Sequence, residues 1–266
     1  MAEDNDAPGT AERRRRGIAT YRDVMKADPP ARSSPFTEIG MLDFVFAEVW
    51  ARPGLSRRDR RFVSLACVAA ADAAAPIEEH VYAALASGDI TFEEMQEVVL
   101  HFAVYCGWPK GSFFEQVTWS QWARLHAERG ETMPPPQPLP YPPTPGDPEL
   151  RLQGGEQEFR DVNHVPAPPR TSPYTQAGIL NFVFGEMWQR PNLGRRERRL
   201  VTVACVALDD TPLPIRSHVY SAMKSGDLTL DEMQEVVLHF AAYYGWPKAS
   251  FLNQVVAEEW ERIQRG

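Results

Sequence analysis

The chain has 266 residues, 43% of them hydrophobic and 24% charged, with a net charge of −8. That is the balance of a soluble globular protein, and an acidic total with short, acid-flanked basic clusters argues against a nucleic-acid partner. No apolar run approaches the ~18 residues of a membrane span, and three cysteines, Cys67, Cys106 and Cys205, make no disulfide framework.

Residues 1–16 carry a basic cluster with no apolar segment behind it. They read as a disordered N-terminus without a signal peptide, and the expected location is cytoplasmic. Five helices are expected next, near 37–51, 57–73, 77–87, 92–106 and 110–127. Ser56 can cap the second. Thr91 with Glu94 makes a capping box for the fourth, in which each side chain satisfies a backbone amide that the helix start leaves open. Gly107 suits the helix end, and Pro109 suits the opening of the next one. A proline-dense stretch, "MPPPQPLPYPPTPGDPEL", then favours extended backbone and reads as a semi-rigid linker.

Beyond the linker the chain repeats itself. With an offset of 138, 47 of the 74 positions from Phe44 to Val117 are identical, without a gap. The unit is too long for a solenoid repeat of ~20–50 residues, so it reads as a duplicated domain. The expected organisation is a first domain at 17–130, a linker at 131–150 and a second domain at 151–266. No segment alternates as a strand does, so the expected class is all-α, two tandem copies of one helical domain.

Each copy carries residues suited to proton chemistry. His80 and His218 sit in "HVYAAL" and "HVYSAM". Either each is a core histidine held by one hydrogen bond, or it moves protons near neutral pH. Glu48 and Glu186 lie among Phe, Val, Met and Trp. Either each pairs with a neighbouring arginine, or burial raises its pKa and makes it an acid or base. Arg57, Arg58, Arg60 and Arg61 recur as Arg195, Arg196, Arg198 and Arg199. They make a solvated or intersubunit face, or one or two of them clamp a substrate carboxylate. Glu97 and His101, with Glu235 and His239, are i, i+4 pairs. The Glu-x-x-His spacing of di-iron bundles and the HExxH spacing of zinc proteases are both absent, so no metal is expected. No Cys-x-x-Cys is present for dithiol redox chemistry. Cys67 and Cys205 read as buried and inert, and Cys106 has Tyr244 as its counterpart.

Taken together, "GEMWQRPNLGRRERRLVTVACVAL", "SHVYSAMKSGDLTLDEMQEVVLHFAAYYGWPKA" and their first-copy equivalents resemble the carboxymuconolactone decarboxylase family, within the superfamily of the alkylhydroperoxidase D proteins. The resemblance covers roughly 36–125 and 174–262. It implies a compact helical fold that assembles as rings, so three duplicated chains would form a pseudo-hexamer. It also implies a cofactor-free lyase acting on a small carboxylated lactone or enone, with isomerisation or dehydration on the same site, or a non-catalytic binding role, as alternatives. By this resemblance His80, His218, Glu48 and Glu186 are the catalytic residues, the histidines as general acid/bases and the glutamates sharing in the proton transfer. Arg58 or Arg60, and Arg196 or Arg198, anchor the carboxylate, and Trp50 and Trp188 contribute to substrate binding. The peroxidase branch has two cysteines where this chain has Ala73 and Pro76, and Thr211 and Pro214. Arg61 and Arg199 stand where many relatives have glutamate.

Overall fold

The computed structural model describes residues 9–31, 33–71, 73–142, 146–209 and 211–266, and every regular element among them is helical. The first repeat comprises α1 (Thr10–Met25), a π-helix (Phe36–Trp50), α2 (Arg57–Ala70), α3 (Ala74–Ser87), α4 (Phe92–Cys106) and α5 (Trp108–Arg129). The second comprises α6 (Pro148–Asn163), a π-helix (Tyr174–Phe184), a 3₁₀ turn (Met187–Gln189), α7 (Arg195–Leu208), α8 (Pro212–Lys224), α9 (Leu230–Tyr244) and α10 (Trp246–Arg265).

The caps fall where the residues call for them. Ser56 accepts from the amide of Asp59, and both capping boxes, Thr91 with Glu94 and Thr229 with Glu232, are complete. The expectation of disorder over residues 1–16 is corrected for Thr10 onward, while residues 1–8 lie outside the described residues. The arginine run orders α1 by binding the first π-helix. Arg14 grips Asp43 with two bonds of 2.5 and 2.8 Å, Arg16 donates to the carbonyl of Ala47 and Arg13 pairs with Glu48. Gly17 makes the contact close, because a Cβ there would collide with the Leu42 carbonyl. Gly155 plays the same part for α6 against Leu180.

The helix expected over 175–189 divides in two. Gly185 packs against the carbonyls of Arg151 and Leu180, where a side chain would not fit, and the π-helix stops at Phe184. The expected linker is irregular from Glu131 to Pro142. Pro143, Thr144 and Pro145 lie outside the described residues, and α6 begins at Pro148 behind its cap, Asp147.

The two tandem helical domains share one core. α2 packs on α7 and on α9, and α4 packs on α7, so the central helices of each repeat lie against those of the other. Phe62, Leu65 and Phe102 from the first repeat join Leu200, Val236 and Phe240 from the second in one cluster, all fully buried. At ~1.5–3 kcal/mol for each large apolar side chain buried, this shared layer is the main adhesive between the repeats.

Candidate active site

The central packing assembles two composite sites, each built from both repeats. In the first, α2 contributes Arg60, Arg61 and Ser64, α3 contributes His80, and the first π-helix ends on Trp50. From the second repeat, α9 lays Glu235, His239 and Tyr243 along one face at i, i+4 and i+8, the spacing that aligns side chains on a helix. The second site mirrors it: Arg198, Arg199, Thr202, His218 and Trp188 meet Glu97, His101 and Tyr105 on α4.

The bonding is nearly the same in both. Trp50 Nε1 donates to Tyr243 Oη at 2.7 Å, and Trp188 Nε1 to Tyr105 Oη at 3.2 Å. His239 Nε2 bonds Ser64 Oγ at 2.7 Å, and His101 Nε2 bonds Thr202 Oγ1 at 2.7 Å. The His80 ring stands edge-on to Tyr243 at 5.1 Å, and His218 to Tyr105 at 5.5 Å. The Arg61 guanidinium lies over Trp50 at 5.3 Å, and that of Arg199 over Trp188 at 5.5 Å. The histidine contacts differ. Arg198 Nη1 donates to His101 Nδ1 at 3.3 Å, which fixes the His101 proton on Nε2 because a guanidinium only donates. In the other site His239 Nδ1 and Arg60 Nη1 are both buried without a partner among the described residues.

Burial sets the electrostatics. His80 and His218 are pushed down to about 3, first by desolvation and then by the charge of Arg61 or Arg199. His101 and His239 are also lowered well below the usual histidine value, again by burial first and then by nearby arginines. Tyr105 is pushed up to about 12 by burial, and Tyr243 is raised for the same reason. At neutral pH the sites therefore hold neutral imidazoles beside guanidinium charges. An imidazole near its ordinary value, as expected from the sequence, is corrected by its burial. Among the described residues His80 Nδ1 and His218 Nδ1 have no hydrogen-bond partner, and neither have Arg61 Nη1 and Arg199 Nη1. The remaining donors of these arginines are anchored. Arg61 binds Asp89 and the carbonyl of Val24, and Arg199 binds Asp227 and the carbonyl of Val162.

The other sequence candidates fall in three places. Trp50 and Trp188 line the sites. Arg60 and Arg198 are buried at their edge, where Arg60 Nη2 holds Glu235 at 2.9 Å and Arg198 bonds the carbonyl of Arg190. Arg58 and Arg196 are taken up by structure: they grip Glu94 and Glu232 of the capping boxes, and Arg196 also holds Asp59 across the repeats. Glu48 pairs with Arg13 at 2.6 Å and keeps 41% of its side chain exposed, and Glu186 lies 3.8 Å from Arg151. Among the described residues no hydrogen bond or ion pair joins either glutamate to His80 or His218, so the expected His–Glu partnership is corrected. The carboxylates near the imidazoles are Glu235, held by Arg52 and Arg60, and Glu97, held bidentately by Arg190 at 2.8–3.1 Å. The tyrosines, Ser64 and Thr202 escaped the sequence reading. The signal for the tyrosines was the Glu–His–Tyr stripe in "EVVLHFAVY".

Among the described residues no three His, Cys, Asp or Glu side chains converge as a metal-binding group, and no helix is long and apolar enough to cross a membrane.

Comparison with known proteins places this arrangement. A 4-carboxymuconolactone decarboxylase from Acinetobacter baylyi is 38% identical over 81 residues, covering 30% of this chain and 59% of that enzyme. A nitrosuccinic acid decarboxylase from Metarhizium robertsii is 33% identical over 100 residues, covering 35% of this chain and 69% of that protein. The family model described as "Carboxymuconolactone decarboxylase family" matches twice, over residues 38–117 and 173–258. Those two segments hold nearly all of both π-helices, every arginine, histidine and tyrosine of the composite sites, and most of the shared core: the chain belongs to the carboxymuconolactone decarboxylase family.

Proposed function

We propose that the chain is a decarboxylase needing no cofactor, acting on a small carboxylate whose neighbouring group can hold an electron pair, at two composite sites. The observation that carries this reading is the pairing, in each site, of an imidazole with a free Nδ1 and an arginine with a free Nη1, both buried. The names of the two relatives support the substrate class, since a conjugated lactone and a nitro group are both electron sinks beside a carboxylate. Such a substrate carries its own sink, so no external electron acceptor is required.

The steps follow from the charges. The substrate carboxylate takes the free donor of Arg61 or Arg199, and its negative charge favours the imidazolium against the burial and the arginine charge that together depress the adjacent histidine. The imidazole then takes a proton from solvent as the anion enters. The bond to the carboxylate carbon breaks, CO₂ leaves, and the electron pair passes into the lactone or nitro group. His80 or His218 delivers its proton to the carbon left behind. Each turnover consumes one proton and returns the imidazole to its neutral form. The Trp, Tyr and apolar walls keep water away, which strengthens the arginine's hold on the carboxylate.

The test is CO₂ release from 4-carboxymuconolactone and from nitrosuccinate, measured for the wild type and for His80→Gln/His218→Gln. Turnover in the wild type and a loss of at least about a hundredfold in the double variant are expected. Turnover that survives both substitutions refutes the roles of the histidines. Absence of CO₂ from both substrates refutes the substrate class.

A further inference from the structure

The proline-rich segment Pro134–Tyr141 roofs a cavity of about 780 Å³ whose floor is made by α4 and α5. The roof and the distal part of the floor, Thr118 to Trp122, lie outside both segments matched to the family. We propose that this cavity is a binding site for an organic cation with an aromatic or apolar body; it borders the second composite site at Glu97 and Arg190, but neither His101 nor His218 lines it.

Three observations carry it. The first is the wall. Phe92 stacks on Trp122 at 4.8 Å and meets Trp119 edge-on at 4.8 Å, while Trp108 and Tyr141 flank the opening with more than half their surface bare. Aromatic faces are electron-rich and attract cations as well as apolar bodies. The second is charge. Four carboxylates, of Glu93, Glu97, Glu115 and Glu186, line the cavity against the single guanidinium of Arg190. Glu97 already neutralises that guanidinium, and the Tyr141 ring covers it at 5.6 Å. Glu93 and Glu115 have no ion-pair partner among the described residues, so the unspent charge of the wall is negative. The third is Thr118. The residue belongs to the cavity lining, and its hydroxyl is buried with no hydrogen-bond partner among the described residues. A buried hydroxyl is costly to leave unmet, and this one belongs to a residue of the cavity wall.

The second repeat supplies an internal control. The counterparts of Phe92, Glu115, Thr118 and Trp119 are Leu230, Asn253, Val256 and Ala257, although the surrounding helices are close copies. Trp108, Trp122, Glu93 and Glu97 keep Trp246, Trp260, Asp231 and Glu235 as counterparts, so Phe92, Glu115, Thr118 and Trp119 are the features particular to the side that the linker covers. One site per chain is expected, whereas the histidine chemistry predicts two.

Calorimetric titration of the full-length protein with 2-phenylethylammonium tests the proposal, with 3-phenylpropionate, an anion of similar shape, as the comparison. Saturable binding of one amine per chain is expected, with the carboxylate bound at least about tenfold more weakly. Trp119→Ala and Thr118→Val install residues that the other repeat carries at these positions, and a thermal melt checks that they fold. Trp119→Ala is expected to weaken the amine about tenfold, Glu115→Asn to weaken it in low salt, and His80→Gln/His218→Gln to leave it unchanged. Absence of saturable amine binding, two amines per chain, equal binding of the anion, or an affinity indifferent to Trp119→Ala each overturns the proposal. None of these outcomes bears on CO₂ release, so the two readings fail separately.

Discussion

Acid should unfold this protein early, through its buried histidines. His80, His218, His101 and His239 are all neutral in the fold, and His80 and His218 protonate only near pH 3. In the unfolded chain each returns to an ordinary value of ~6.5. As pH falls below that value the unfolded state binds protons that the folded state refuses, so stability is full above ~6.5 and is lost steadily toward pH 3. The slope is about 1.4 kcal/mol per pH unit for each histidine. Between pH 7 and pH 5, His80 and His218 together cost about 4 kcal/mol, and the other pair acts in the same direction. That is a large share of a typical total of ~5–15 kcal/mol. The depressed carboxylates, among them Asp89, Glu94, Glu232 and Glu235, act mainly below pH ~4.5 and leave the window clear. Glu158, raised by burial, opposes the trend. Urea denaturation at pH 7, 6 and 5 measures the slope, and His80→Phe/His218→Phe should flatten it by about half. Stability that stays level from pH 7 to pH 5 would refute the neutral, enclosed imidazoles.

Three further outcomes follow from the same contacts. Arg61→Gln should cost about 3–5 kcal/mol of stability, because it strips Asp89 of one partner and the α1 carbonyl end of its donor; chemical denaturation reads this directly, and unchanged stability would count against the anchoring. Gly17→Ala should destabilise by at least about 2 kcal/mol, since the added methyl meets backbone rather than a movable side chain, and a melt within a degree of wild type would contradict the close approach. Glu48→Gln and Glu186→Gln should leave CO₂ release within about twofold, whereas Glu235→Gln should lower it by uncoupling Arg52 and Arg60; the opposite ranking would restore the glutamates to the chemistry.

The helix starts were legible wherever local chemistry decides them, as at Thr91 and Thr229, whose capping boxes require no knowledge of the rest of the fold. α1 and α6 were not. Gly17 sits mid-helix in one and the Gly154–Gly155 pair in the other, and a glycine in that position reads as a helix breaker. Its real purpose, letting a π-helix carbonyl come close, is a tertiary fact. The histidines and tryptophans of the site could be named from sequence, but their partners could not. The π-helix winds with i→i+5 bonds, so Glu48 does not project where an α-helical count would place it. A duplicated sequence is also silent about which copy of the "EVVLH" helix meets which arginine helix. The family resemblance pointed to Arg58 or Arg60 as the carboxylate anchor; the fold commits Arg58 to Glu94, leaves a nitrogen of Arg60 unbonded among the described residues, and adds Arg61, whose charge acts on His80, at the position where the chain departs from many relatives.

The exchange of α4 and α9 between the halves has a consequence for synthesis. While the ribosome is still making the second repeat, the first presents the apolar faces of both α2 and α4 with nothing to cover them. Each face is shaped for its near-copy on the other, so two nascent first halves are complementary to one another before either meets its own second half. A chain that must find its sequel rather than its twin gains from having that sequel tethered close by. The short proline strap thereby sets a race between intramolecular closure and swapping with a neighbour, and any damage to one repeat disables half of each site at once.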